Sequence, residues 1–207
     1  MSTGTQVIIK PMENQYKHFH MIGERLCLNF LNTANWSEAG EVVEEKLNNK
    51  ADAFRWGRSA SVGSGERPFT VGKLPELLKF RASLRHLFDT TVNASSPIKS
   101  LSKTDLEILN LAYGDLLTLS LRMQDGQIAY NPAVPLQQIV QVSALALLTA
   151  PNEISRVKMC GGQNCGWFFL DESKNRRRRW CTMELCGNRE KARRHYKRKV
   201  TADKKEA

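Results

Sequence analysis

No long hydrophobic run is present in this sequence. The longest apolar stretch, Ala144-Leu145-Ala146-Leu147-Leu148, falls far short of the roughly 20 residues a membrane helix needs. Val7-Ile8-Ile9 is too short for the apolar core of a signal peptide, and Lys10-Pro11 ends it. Both absences lead to the expectation of a cytoplasmic protein with no membrane partner. Catalytic signatures are missing as well. Gly63-Ser64-Gly65 is too short for a phosphate loop, and His18, His20 and His86 have no metal-ligand partners at useful spacing. The expectation is that the protein is not an enzyme. Its 207 residues suffice for one ordinary domain plus a small module.

Cysteine is scarce, and its placement is informative. Of the five in the chain, Cys27 stands alone in the apolar stretch Arg25-Leu-Cys-Leu-Asn-Phe-Leu31 and reads as a small buried hydrophobe. The other four, Cys160, Cys165, Cys181 and Cys186, form two close pairs separated by a spacer. That pattern reads as one structural Zn2+ held by four thiolates. Two disulfides or an iron–sulfur cluster are the alternatives, and neither suits a cytosolic, arginine-rich setting as well. Four protein ligands leave no open coordination position, so the zinc would be structural. Its thiolates would carry excess negative charge, which Arg176 to Arg179 and Lys191 could moderate.

Acidic residues are in short supply only toward the C-terminal end. Residues 1–150 hold 15 basic and 14 acidic side chains, whereas residues 151–207 hold 16 and 7, so +9 of the net +10 lies in the last quarter. Such asymmetry suggests a polyanionic partner for one part of the chain. The candidate nucleic-acid contacts are Arg176, Arg177, Arg178, Arg179, Arg189, Arg193, Arg194, Lys197 and Arg198. Arg189, Arg193 and Lys197 fall at i, i+4 and i+8 and form one ridge on a helix. Glu190, Arg194 and Arg198 form a neighbouring stripe in which Glu190 can pair with Arg194. Trp167, Trp180, His195 and Tyr196 lie among these charges and could stack on bases. The bland reading makes Trp167, Phe168, Phe169 and Trp180 the small core of the module. It gives Asn188 and Arg189 the task of holding the loop after the last cysteine.

Periodicity supplies the rest of the fold. Residues 1–18 read as a weakly ordered lead-in. Gly23 to Asn35 reads as a buried helix, Val42 to Leu47 as an extended piece or helical turn, and Ala51 to Ala60 as a short helix with Phe54 toward the core and Trp56 and Trp36 as candidates to pack nearby. Leu74, Leu77, Leu78, Arg81, Leu84, Leu87 and Phe88 track a 3.6-residue period and predict a long helix over 74–91. Arg81 and Arg85 on that helix could line an anion pocket, but a solvated face is the favoured reading. Ser102-x-x-Asp105 resembles a capping start for a helix over 103–117. Two short strands flank Gln124-Asp125-Gly126 as a hairpin, and Pro135 to Thr149 predicts a central helix. A boundary falls near Ala150-Pro151-Asn152-Glu153. Beyond it, two strands carry the first cysteine pair and a basic helix follows the second, which describes a treble clef. Cys181 and Cys186 are too far apart for one ideal helix face, so Cys181 should precede the helix. Residues 200–207 read as a tail.

The string Cys181-Thr-Met-Glu-Leu-Cys-Gly-Asn-Arg189 resembles the signature of the CGNR zinc finger family, with Cys165-Gly-Trp-Phe-Phe-Leu-Asp171 before it and Lys191-Ala-Arg-Arg-His-Tyr196 after it. Gly23-Glu-Arg-Leu-Cys-Leu-Asn-Phe-Leu-Asn-Thr33 resembles the ABATE domain that usually precedes this finger. Asn29 stands where such proteins often carry Asp. The resemblance implies an α+β architecture: a mainly helical ABATE-like domain over 19–150, with a small β-hairpin, and a treble-clef finger over 153–199. It also implies a bacterial, stress-linked transcription regulator whose finger meets DNA. RNA or ribosome binding and a protein–protein adaptor role are the alternatives. A small-molecule effector at the N-terminal domain and a homodimer are further expectations, by analogy with two-part regulators.

Overall fold

A computed structural model describes residues 19–62, 69–93, 103, 121–124, 127–130 and 134–203. Helix α1, Leu26–Leu31, turns Cys27, Leu28, Phe30 and Leu31 inward. The predicted helix reached Asn35 but the observed one stops at Leu31, because the next two side chains are committed elsewhere. Thr33 Oγ1 donates to the Phe30 carbonyl at 2.7 Å, and the Asn32 amide bonds a distant strand. Side chains of these types compete with helix continuation. The chain instead runs on into strand β1, Ala34–Trp36, which pairs antiparallel with β2, Val42–Glu45.

Helix α2, Lys50–Ser59, starts with a capping box: Asn49 accepts from the Asp52 N–H at 2.9 Å and Asp52 accepts from the Asn49 N–H at 3.2 Å. Phe54 packs against the core half-buried, as expected, while Trp56 is fully buried and meets Phe30 with ring centroids 5.2 Å apart. Helix α3, Leu74–Asn93, realises the long period read from the sequence. Its buried face contains Leu77, Phe80, Leu84, Leu87 and Phe88, and also Arg81 and Arg85. The solvated face expected for those arginines is therefore corrected: they are 2 % and 3 % exposed. Arg81 forms a bidentate pair with Glu45 on β2 and donates to Thr33 Oγ1 at 2.7 Å. Both partners belong to neighbouring elements, so burial leaves the cation paired.

Short pairs complete the N-terminal part. Strand β3, Phe69–Thr70, runs parallel to β6, Val134–Pro135, and β4, Leu121–Gln124, pairs antiparallel with β5, Gln127–Tyr130. The hairpin expectation thus holds for its strands; its turn, the segment 94–100 and all but Lys103 of the predicted 103–117 helix lie outside the described residues. Helix α4, Leu136–Leu148, packs on α1, and its Ser143 Oγ accepts from the Cys27 N–H at 3.1 Å. Burial pushes the Cys27 thiol up to about 12. Pro151–Ile154 forms a helical turn, α5, and Ile154 is buried directly after the expected boundary.

Strands β7, Val157–Met159, and β8, Phe168–Leu170, pair antiparallel. Their side chains do not form a core of their own. Ile154, Val157, Phe168 and Leu170 join the main core made by α1, α2, α3 and α4. In return Ala34 and Trp36 of β1 join a second cluster with the four paired cysteines, Trp167 and Phe169. Each part of the chain therefore completes the other's interior. Among the described residues no helix is long and apolar enough to cross a membrane.

Candidate metal centre and basic helix

The first cysteine pair lies on the loop between β7 and β8. The Cys160 N–H donates to the Trp167 carbonyl at 2.8 Å and closes the loop, and the Cys165 N–H turns back to the Gly162 carbonyl at 3.2 Å. A side chain at Gly162 would put a Cβ 2.9 Å from Cys186 Sγ, so only glycine lets the backbone approach the sulfurs this closely. The second pair comes from a different device. Cys181 precedes the helix, as its spacing from Cys186 requires. Cys186 sits in a π-helical turn, Met183–Gly187, capped by the Thr182 hydroxyl on the Leu185 N–H at 3.0 Å. The Gly187 N–H reaches the Thr182 carbonyl five residues back, at 3.1 Å. That wider turn is how a four-residue gap brings two sulfurs together.

All four Sγ atoms lie within 4.8 Å of one another and are buried. Cys165 and Cys181 Sγ are 3.8 Å apart, and Cys181 and Cys186 Sγ are 3.5 Å apart. A tetrahedral zinc with sulfurs at about 2.3 Å requires sulfur–sulfur edges of about 3.8 Å, whereas a disulfide needs about 2.05 Å. None of the five cysteines forms a disulfide. The donor set and its spacing fit Zn2+. Cys160 Sγ accepts from the Cys181 N–H at 3.2 Å, and Cys186 Sγ from Arg189 Nη2 at 3.2 Å. The contact with Cys186 raises the Arg189 guanidinium above its ordinary range. Lys46 of the β2–α2 connection stands 4.2 Å from the centre of the Trp167 ring. Burial lowers its ammonium, and the charges of Glu44, Cys165 and Cys181 oppose that shift. Local sequence does not announce Lys46 here, since Trp167, Cys165 and Cys181 lie more than a hundred residues away.

The N-terminal part grips this centre through its backbone. Asn32 donates to the Phe168 carbonyl at 2.8 Å and accepts from the Phe168 N–H at 2.9 Å, so one side chain serves as an extra rung beside β8. The Trp36 N–H donates to the Cys165 carbonyl at 3.2 Å, and Trp167 Nε1 donates to the Ala34 carbonyl at 2.9 Å. Arg85 donates to the Gly166 carbonyl and to Asp89 at 2.9 Å, its guanidinium lying 4.4 Å from the Phe168 ring centre. Gly166 itself has φ +56°, and a Cβ there would sit 2.7 Å from Trp36 Cβ. Gly166→Ala is expected to cost about 2–3 kcal/mol through left-handed strain plus overpacking. Urea unfolding midpoints of the two proteins measure it, and equal midpoints would contradict the close approach.

The predicted cations divide into two groups. Arg178 is fixed. Its Nε donates to the Trp180 carbonyl at 3.1 Å, its Nη2 to the Cys181 carbonyl, and its backbone N–H to Asp171 at 3.0 Å. Asp171 is fully buried. Burial alone would raise its carboxyl, but hydrogen bonds from Lys158 and Ser173 hold it at about 2. Arg189 is spent on Cys186, and Glu190 pairs with Arg193 at 2.8 Å rather than with Arg194, a correction to the expected stripe. Arg176, Arg177 and Arg179 are exposed, and Arg179 lies over the half-buried Trp180 with 5.4 Å to the ring centre. Helix α6, Asn188–Asp203, exposes every residue from Lys191 to Lys199, including Arg194, Lys197, Arg198 and Tyr196. Trp167, Phe168 and Phe169 are buried, so those three rings serve packing.

Residues 156–199 match the CGNR zinc finger family. Residues 24–151, well over half of the chain, match the ABATE family, described as "Putative stress-induced transcription regulator". No curated protein matches the sequence. The geometry of four converging thiolates and the order of the two matched regions agree, and the chain belongs to the ABATE family, with a CGNR zinc finger following the ABATE region.

Proposed function

We propose that this protein is a zinc-holding transcription regulator that meets DNA through helix α6 and the loop before it. One observation carries the reading. From Lys191 to Lys199 the helix packs no face inward, and no carboxylate occurs between Glu190 and Asp203. A helix polar on all sides gains nothing from a core. Like charges four apart, such as Arg194 and Arg198, destabilise it by about 0.2–0.5 kcal/mol per pair. A polyanion reverses that cost. In this reading Arg177, Arg179, Arg194 and Arg198, with Arg176, Arg193 and Lys197 beside them, neutralise phosphates. Arg178 and Arg189 hold the module in shape. The module is read as a treble clef, a knuckle between two strands followed by a helix whose first turn completes the zinc site. Zinc supplies structure and no catalysis. The N-terminal part fixes the finger's orientation through Asn32, Trp36 and Arg85; effector binding and dimerisation remain further proposals for it.

A salt titration of binding to random duplex DNA tests the reading. About five phosphate contacts should give a log–log slope near −4 to −5. The double variant Arg194→Ala/Arg198→Ala should keep its zinc and lose about two units of that slope. Salt-independent or absent binding would sink the proposal. Stronger binding to structured RNA than to duplex DNA at equal salt would move the assignment to RNA.

A further inference from the structure

A cleft of about 180 Å³ opens beside the metal centre, and Cys165, Cys181 and Cys186 line it together with Lys46, Leu185 and Arg189. Cys160 does not reach it. The four sulfurs are not equally defended. Cys160 Sγ accepts the Cys181 N–H, and Cys186 Sγ accepts a charge-assisted bond from Arg189. Among the described residues these direct N–H bonds fall on Cys160 and Cys186, while Cys165 and Cys181 Sγ lie 3.8 Å apart and face the charges of Lys46 and Arg189. A direct hydrogen bond lowers a thiolate's basicity and with it its intrinsic nucleophilicity, so the pair lining the cleft beside Lys46 is the reactive pair.

We propose that Cys165 and Cys181 form an oxidant-sensitive pair, with a small peroxide entering by this cleft. A zinc held by the four cysteines would supply both sulfurs as thiolates. One thiolate attacks the peroxide oxygen, breaking the O–O bond; the sulfur becomes a sulfenic acid and the departing oxygen leaves as water after protonation. The second thiolate attacks that sulfenic sulfur, forming the S–S bond and releasing a second water. Two sulfurs lose one electron each, and the peroxide gains two. With Cys165 and Cys181 consumed, only Cys160 and Cys186 would remain to hold a metal, and it would be released. The backbone around Cys165 is what Trp36 and Arg85 hold, so oxidation would loosen the grip of the N-terminal part on the finger.

The inference rests on the resident zinc, so zinc content is measured first on the full chain. A protein that never holds one zinc overturns the metal reading itself. For the zinc-loaded protein, hydrogen peroxide in excess at pH 7.5 should release the metal to a chromophoric chelator. Peptide mapping should find one disulfide, Cys165–Cys181, reversible by a thiol reductant. Arg189→Ala, which bares Cys186, should yield a mixture containing Cys181–Cys186. Zinc retained for hours under peroxide, or a first disulfide that includes Cys160 or Cys186 in the unsubstituted protein, would overturn the proposal.

Discussion

A chain ending at Glu153 is expected to lose its cooperative fold. The cut removes Ile154, Val157, Phe168 and Leu170 from the main core. Truncating one large core side chain costs about 2–5 kcal/mol, so losing four together takes on the order of 10 kcal/mol. A typical domain has only about 5–15 kcal/mol of stability. Polar losses add to this. Asn32 would be left buried without either partner on Phe168, and Arg85 would lose the Gly166 carbonyl while staying on the inner face of α3. Each orphaned buried group costs roughly 1–3 kcal/mol more. Near-UV circular dichroism and a thermal melt of the shortened chain provide the measurement. A sharp melt with native near-UV signal would show that the N-terminal part closes its own core, contrary to the packing described. The same result governs binding experiments: a truncated chain that fails to bind DNA says nothing about the finger, because the remainder is unfolded. Substitutions between Lys191 and Lys199 on α6 are the sound comparison, since those residues are exposed.

What the sequence disclosed depended on distance along the chain. The four-cysteine cluster was legible because each pair is local and the spacing of two pairs matches one tetrahedral site. Helix α3 was legible because Leu77, Leu84, Leu87 and Phe88 repeat at the helical period. The same period could not tell whether Arg81 and Arg85 faced water, since an arginine on the inner face looks identical until its partner is known. Those partners, Glu45 and the Gly166 carbonyl, lie 36 and 81 residues away. The end of α1 was hidden for a related reason. Asn32 leaves the helix to serve Phe168, 136 residues on. The site itself showed the same limit: Lys46 and Trp36 border the cysteines, but only the fold brings β1 and β2 to the knuckle. The basic string at 176–179 read as one patch, yet Arg178 alone turns inward, because the buried Asp171 carboxylate binds its backbone and the nearby carbonyls bind its side chain.

Zinc removal should lower the stability of the whole chain and not of the finger alone. Structural zinc in small modules contributes about 10–16 kcal/mol to folding. Here the metal is expected to hold four thiolates that share one hydrophobic cluster with Ala34 and Trp36. Without it, like charges or crowded thiols replace the tetrahedral bonds, and the knuckle that accepts from Trp36 and Arg85 loses its frame. For a chain of this size each kcal/mol shifts the midpoint by about 2–4 °C, so a strong chelator should lower Tm by at least about 10 °C. Cys181→Ser should behave likewise, whereas Cys27→Ala should leave zinc content unchanged, because Cys27 lies against Ser143 in the other core. Tryptophan fluorescence locates the change. Trp36 and Trp167 are packed by the cysteines and should redden on chelation, and Trp56 sits in the main core beside Phe30. Two independent halves would instead give a chelator-sensitive finger above an unmoved N-terminal transition. That outcome would contradict the shared interior, because Phe168 cannot leave with the finger and still fill the space against Phe88, 5.9 Å from its own ring centre. A metal held by these cysteines would therefore be sensed by the N-terminal core through packing alone.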